Sequence, residues 1–271
     1  MKAPQAQAAI EVRALRKSFE GAAGPYLALD GVALSIARGE FVSLLGPSGG
    51  GKSTLLNLLA GLDTPDAGSA RVTAPHPAPA ADAPGAAAPP RGRPPIAYMQ
   101  QKDLLLPWRS LWDNILIGPE LRSPAERRRL EPTARALLAE FHLERFAASY
   151  PATLSGGMRQ RAALLRTLLC EQPILLLDEP FGALDAITRG KLQRMLLRVW
   201  REFGKTVLLV THDVEEAVLL SQRVVVLSAM PGRVLAEFGV AIPHEARAES
   251  PETLRLRARI LKMLEGPDAA A

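Results

Sequence analysis

Residues 46–54 read GPSGGGKST, four glycines with a lysine and hydroxyls, set between the apolar run FVSLL and the leucine-rich LLNLLAGL. Gly46, Gly49, Gly50 and Gly51 open backbone conformations closed to residues that carry a Cβ, so successive N–H groups can curl inward around an anion. Lys52 can then reach the outer phosphates of a nucleotide, and the Ser53 hydroxyl can ligate Mg²⁺. A helix starting there would aim its positive end at the same charge. The pattern G-x-x-x-x-G-K-[ST] is met by Gly46, Gly51, Lys52 and Ser53, with Pro47, Ser48, Gly49, Gly50 and Thr54 completing the candidate cradle. The competing reading is a glycine turn between a strand and a helix.

A second stretch, ILLLDEP at 174–180, ends a run of aliphatic residues on two carboxylates. The run reads as a buried strand, and Asp178 and Glu179 stand at its carboxyl end, where open α/β sheets bind ligands. Asp178 could hold Mg²⁺ through its water shell, and Glu179 could orient and deprotonate an attacking water. A solvated acidic turn is the alternative. Between these stretches lies LSGGMRQR at 154–161, followed by the helical pattern AALLRTLLCEQP. Ser155, Gly156 and Gly157 would form a second anion-accepting helix start, or an ordinary N-cap.

In chain order, the three stretches resemble the Walker A, signature and Walker B motifs of the ATP-binding cassette (ABC) ATPases. The resemblance covers roughly residues 10–240 and rests on six motifs in the family's order. YMQQKDLLLPW at 98–108 resembles the Q-loop and implies Gln101, in preference to Gln100, as the metal- and water-sensing glutamine. Gln101 thereby joins Ser53 and Asp178 as an implied Mg²⁺ ligand. GALD at 182–185 is similar to the D-loop, with Asp185 as its acid and a glycine where serine is more usual. VLLVTHD ends in His212, which matches the histidine that contacts the γ-phosphate, although a lone histidine is more often structural. LRKSF puts Phe19 where relatives stack a ring on adenine, with Tyr26 the other candidate. One set of motifs implies a dimer with ATP sandwiched between two copies. Lys52 and Ser53 would act from one copy, Ser155 and Gly157 from the other.

These groups need a scaffold, and 271 residues with 48% hydrophobic content can bury a substantial core. Short strands and the phosphate loop are expected over 10–72, helices over about 108–165, and strand–helix alternation over 173–240. The implied fold is α/β: a P-loop NTPase of the ABC nucleotide-binding type, with an antiparallel β subdomain and an inserted helical subdomain. Its domain would run over 10–244, between an N-terminal tail at 1–9 and a C-terminal helix and tail at 245–271. APHPAPAADAPGAAAPPRGRPP, 74–95, is too low in complexity to bury a core and is expected to be a surface loop.

The apolar runs fall far short of the roughly 18 residues that cross a bilayer, and MKAPQAQAAI lacks a signal-length apolar core. The single Cys170 excludes an internal disulfide framework, which suits a reducing cytosol. A net charge of +5 would suit nucleic acid, an anionic ligand or an acidic membrane face, but 28 acidic residues are spread among 33 basic ones and the excess decides nothing by itself. The resemblance implies no nucleic-acid partner. A DNA-repair or chromosome-organising ATPase would need a long coiled coil between the phosphate loop and the signature, and no sustained heptads occur there. A translation factor of this type would carry two cassettes. LLLPWRSLWDNILIG and the stretch after THD look most like the importers of nitrate, sulfonates, taurine and related solutes. YMQQKDLLLPW resembles the branch handling the aminopyrimidine precursor of thiamine. That resemblance implies permease partners, an external binding protein and a peripheral place on the cytoplasmic face of the membrane. Leu104, Leu105, Leu106, Pro107 and Trp108 are then either core or a patch for the permease.

Overall fold

The computed structural model describes residues 8–22, 24–73 and 95–266. The stretch expected to be a loop, 74–95, lies outside them apart from Pro95. Two long strands, β1 (Ala8–Gly21) and β2 (Gly24–Ala37), pair antiparallel from Ala8↔Ala37 to Gly21↔Gly24. β1 begins two residues inside the tail expected at 1–9, because Ala9 and Ile10 are buried against the sheet's own core. After β3 (Phe41–Leu45) and α1 (Lys52–Leu59), β4 (Ala67–Val72) closes this sheet on the other side of β1, giving the order β2-β1-β4.

β5 (Ile96–Met99) leads into a helical stretch: α2 (Leu111–Ile115), α3 (Ile117–Arg122), α4 (Pro124–Glu140) and α5 (Gly156–Leu169). The chain then alternates through β6 (Ile174–Asp178), α6 (Ala186–Phe203), β7 (Thr206–Thr211), α7 (Val214–Leu220), β8 (Arg223–Leu227) and β9 (Val234–Gly239), and ends in α8 (Pro251–Leu264). The second sheet has six strands in the order β5-β6-β7-β3-β8-β9, parallel except for β9.

β3, β6 and β7 are buried along their whole length, which is why they read as continuous apolar runs and not as alternating ones. Successive side chains go to opposite cores. Leu175, Leu177, Val207 and Leu209 pack with the helical stretch, whereas Leu176, Leu208, Val210 and Leu44 pack against α1 and the antiparallel sheet. β3 lies between β7 and β8, so its carboxyl end, which carries the phosphate loop, opens beside the ends of both neighbours and one strand away from that of β6.

Candidate active site

Gly51 caps α1 with φ of 76°, and Gly49 has φ of 81°, both in the left-handed region that favours glycine. The loop is also seated on its neighbours. A Cβ on Gly46 would stand 2.9 Å from the Leu227 carbonyl oxygen, and one on Gly50 would stand 2.6 Å from that of Ser228. Lys52 is buried, and its Nζ donates to the carbonyls of Gly46 (2.9 Å) and Pro47 (2.7 Å). Burial lowers the Lys52 pKa, and the nearby charges of Glu179 and Asp178 act against that shift.

The last residue of β6, Asp178, is 2% exposed, and burial raises its carboxyl pKa while a Ser53 hydrogen bond works in the opposite direction. Glu179 follows with φ of 49°, a strained value for a residue with a side chain, and its N–H donates to Val210 O at 2.9 Å. Its backbone oxygen accepts from Gln160 Nε2 at 2.9 Å. Its carboxylate meets two groups at once: Gln101 Nε2 lies 3.4 Å from Oε2, and His212 Nδ1 lies 3.2 Å from Oε1.

A cavity of about 340 Å³ joins these parts, lined by Ser48, Gly49, Gly51, Lys52, Ser53, Thr54, Gln101, Asp178 and Glu179 together with Tyr26, Ala28 and Met230. A larger cleft of about 780 Å³, lined by Arg198, Arg201 and His244, gathers none of the motif residues. The predicted phosphate loop, carboxylate pair and glutamine thus come together, with Gln101 and not Gln100 at the cavity. His212 stands at the rim through its contact with Glu179.

Ser155, Gly156, Gly157 and Asp185 do not line the cavity. Ser155 accepts from Met158 N at 3.3 Å to cap α5, and Asp185 accepts from Thr188 N at 3.0 Å to cap α6. Gly157 abuts the segment before α6, where a Cβ would stand 3.2 Å from Ala183 O. Phe19 does not line the cavity either. Tyr26 does, and the Phe19 ring packs against it at 5.9 Å with Lys17 Nζ 5.0 Å from the Phe19 centroid. The sequence reasoning missed three residues, Ala28, Gln160 and Met230. Gln160 lies inside a quoted motif, whereas Met230 lies in the stretch after THD, which carries the importer resemblance but assigns it no role.

Residues 29–182 match the family model described as ABC transporter. The chain is 43% identical over 263 residues, 97% of this chain and 88% of the relative, to the aliphatic sulfonates import ATP-binding protein SsuB 1 of Rhizobium johnstonii. It is 38% identical over 248 residues, 92% of this chain and 88% of the relative, to the nitrate import ATP-binding protein NrtD of Synechocystis sp.. Among solved structures, the dimeric bacterial ABC transporter cassette MJ0796 superposes with a TM-score of 0.71 at 31% identity, covering 86% of this chain and all (100%) of that one. A post-hydrolysis state of the same cassette, bound to ADP and Pi, gives 0.71 at 30% identity with the same coverage, 86% and 100%. With a phosphate loop, a carboxylate pair and a strand order that answer to one another, this chain belongs to the ABC transporter family as one of its ATP-binding, ATP-hydrolysing cassettes.

Proposed function

We propose that the chain is the motor of an importer, coupling MgATP binding and hydrolysis in a dimer to uptake of a small solute such as nitrate, a sulfonate, taurine or a thiamine precursor. The observation that carries the reading is the Glu179 carboxylate, held between Gln101 and His212 at the cavity that also contains Lys52 and Asp178. Relatives named for sulfonate and nitrate import support the solute class. The partners are a second copy, transmembrane permease subunits and an external binding protein, with the chain peripheral on the cytoplasmic face. No helix among the described residues is long and apolar enough to cross a membrane.

The donor set fits a hard divalent cation. A hydroxyl, an amide oxygen and one buried carboxylate are oxygen ligands of the kind Mg²⁺ takes while keeping several waters and substrate phosphates. Ser53, Asp178 and Gln101 would hold it, and it would neutralise charge on the transferring phosphoryl group. Lys52 leaves the loop carbonyls for the outer phosphates, which restore the charge that burial opposes. Glu179 accepts the proton of the attacking water, while Gln101 and His212 fix the direction in which its oxygens point. Ser155 and Gly157, which do not line their own chain's cavity, act on the nucleotide of the second copy, with Gly156 and Asp185 kept as nucleotide-contacting candidates. Phe19, packed on Tyr26, supports the adenine side.

The test is Glu179→Gln, which keeps shape and hydrogen bonding but takes no proton. Hydrolysis should fall by a factor of about 100 or more with ATP affinity within about twofold, and ATP should drive dimer formation. Wild-type turnover in that variant would remove Glu179 as the base.

A further inference from the structure

The cavity has two kinds of wall. The side of Lys52, Ser53, Gln101, Asp178 and Glu179 is polar, whereas Tyr26, Ala28 and Met230 contribute apolar side chains. Ala28 is buried, but the two large members are nearly half open, Tyr26 at 42% and Met230 at 46%. A phosphate cradle has no use for a half-exposed thioether beside a half-exposed ring.

Met230 is delivered by the turn 228–233 that follows β8. The Ser228 hydroxyl bonds the carbonyls of Ala229 (2.8 Å) and Pro231 (2.7 Å) and accepts from Arg233 N (2.9 Å). Gly232 N donates to Ala28 O at 2.9 Å, and Asp30 N donates back to Gly232 O at 3.0 Å. Arg233 Nε adds an ion pair to Asp30 at 3.0 Å. The turn is therefore stitched to β2 at Ala28, the strand that also carries Tyr26. It bears equally on the phosphate loop, since a Cβ on Gly232 would collide with the Gly50 carbonyl. Its backbone is fixed from both sides, and the Met230 side chain is left facing the cavity.

We propose that Met230 is a nucleotide-contacting residue: with the Tyr26 ring it forms an apolar seat for the adenosine moiety of ATP, opposite the polar wall that takes the phosphates. A thioether suits the task because it is polarizable and unbranched, and packs well against aromatic rings. The inference rests on reading this cavity as the ATP site, and the experiment separates the two. Calorimetric titration of the full chain with MgATP and with inorganic tripolyphosphate compares a ligand that has the adenosine with one that lacks it.

Met230→Ala should weaken MgATP binding about fivefold, from lost apolar contact, and leave tripolyphosphate binding within about twofold. In steady state it should raise KM for ATP by a similar factor with kcat unchanged, the pattern of a contact made equally in ground and transition states. Met230→Leu, which keeps the apolar volume, should restore ATP affinity to within about twofold of wild type. Equal weakening of both ligands would show that the turn acts through the phosphate loop, and no change in either would show that Met230 is a surface residue. Each of these results overturns the proposal. A wild-type chain that binds neither ligand overturns the ATP-site reading itself.

Discussion

Around Gly46–Thr54 the chain is held backbone against backbone, whereas around Leu106–Trp108 it is held by side chains. In the first region Gly46 and Gly50 abut the carbonyls of Leu227 and Ser228, and Gly51 abuts the Ala28 carbonyl and the Leu29 side chain, on two other segments of the chain. In the second, one buried side chain does most of the holding. Asn114 Oδ1 accepts from Leu106 N at 2.7 Å, and its Nδ2 donates to the carbonyls of Leu106 (3.1 Å), Arg109 (3.0 Å) and Ser110 (3.0 Å). Arg166 adds bonds to the carbonyls of Leu104 (2.7 Å) and Asp103 (2.6 Å), which hold Leu104 at φ of 46°. A surface that must grip phosphates is built from N–H groups and leaves no room for an added atom at Gly46, Gly50 or Gly51. A surface that must present side chains is free to vary them, provided its staple remains.

Gly51→Ala tests the first half of that contrast and carries the largest expected effect. The new Cβ would lie 2.5 Å from Leu29 Cδ2 and 2.7 Å from Ala28 O at φ of 76°. Left-handed strain and overpacking together predict a loss of about 3 kcal/mol in thermal or denaturant unfolding, with tripolyphosphate binding abolished. A variant as stable as wild type would mean that the loop yields where the contacts say it cannot.

Asn114→Ala tests the second half. It removes the side-chain partner of Leu106 N and of the Arg109 carbonyl in a part-buried setting, which predicts a loss of about 2 kcal/mol. The carbonyls of Leu106 and Ser110 keep the backbone donors Arg109 N and Asn114 N. MgATP affinity of the folded fraction should stay within about twofold, since Asn114 lies away from the cavity. If affinity fell in step with stability, the two regions would be one cooperative unit.

Acid sharpens the comparison with a smaller effect. In the helical stretch, Arg127 and Ser110 hold Asp113 below the usual carboxylate range, Arg109 and then Arg127 do so for Glu120, and Arg129 for Glu126. A depressed folded pKa gives stability that is present above the unfolded value, about 4, and is lost as pH falls through the folded one. Asp178 has the opposite sign: its pKa is raised by burial, so protonation favours its folded environment. Hydrogen exchange below about pH 4 should therefore show α2–α4 opening before β6 and β3. Simultaneous loss of protection would deny the difference.

Legibility in the sequence follows the same division. The phosphate loop, Asp178 and Glu179 were readable because each depends on a short local pattern at a strand end, whereas Gln101 was reached through the resemblance of YMQQKDLLLPW to the Q-loop. Met230 was not readable, because its place depends on β8 lying next to β3, a fact of strand order and not of any local stretch. Phe19 and Tyr26 illustrate the intermediate case. Both were visible as candidate rings, paired across the hairpin at Phe19↔Tyr26, and it is Tyr26 that meets the cavity. The helical stretch was legible as helices, yet the role of Asn114 was hidden, because an asparagine inside a helix gives no sign of which loop it will hold.

LLLPW could be core or patch from sequence alone, and the outcome is divided: Leu105 is buried at 7%, while Leu104 is 49% exposed and Trp108 71% exposed. A tryptophan that open lends the isolated chain little. Trp108→Ala should shift its stability by no more than about 0.5 kcal/mol and leave ATP affinity and basal hydrolysis unchanged. The expected consequence lies outside the chain. Arg159 Nε pairs with Asp103 at 3.0 Å, so the patch is tied to the signature helix, and Gln101 ties its other end to Glu179 at 3.4 Å. A partner helix seated on Trp108 would feel both when the nucleotide is bound or released, and Trp is the residue type most often found carrying interface energy. Trp108→Ala should therefore reduce co-purification with the permease and stop ATP-driven uptake. An unfolded variant would restore the core reading against the observed exposure, and unchanged assembly and uptake would move the docking surface elsewhere.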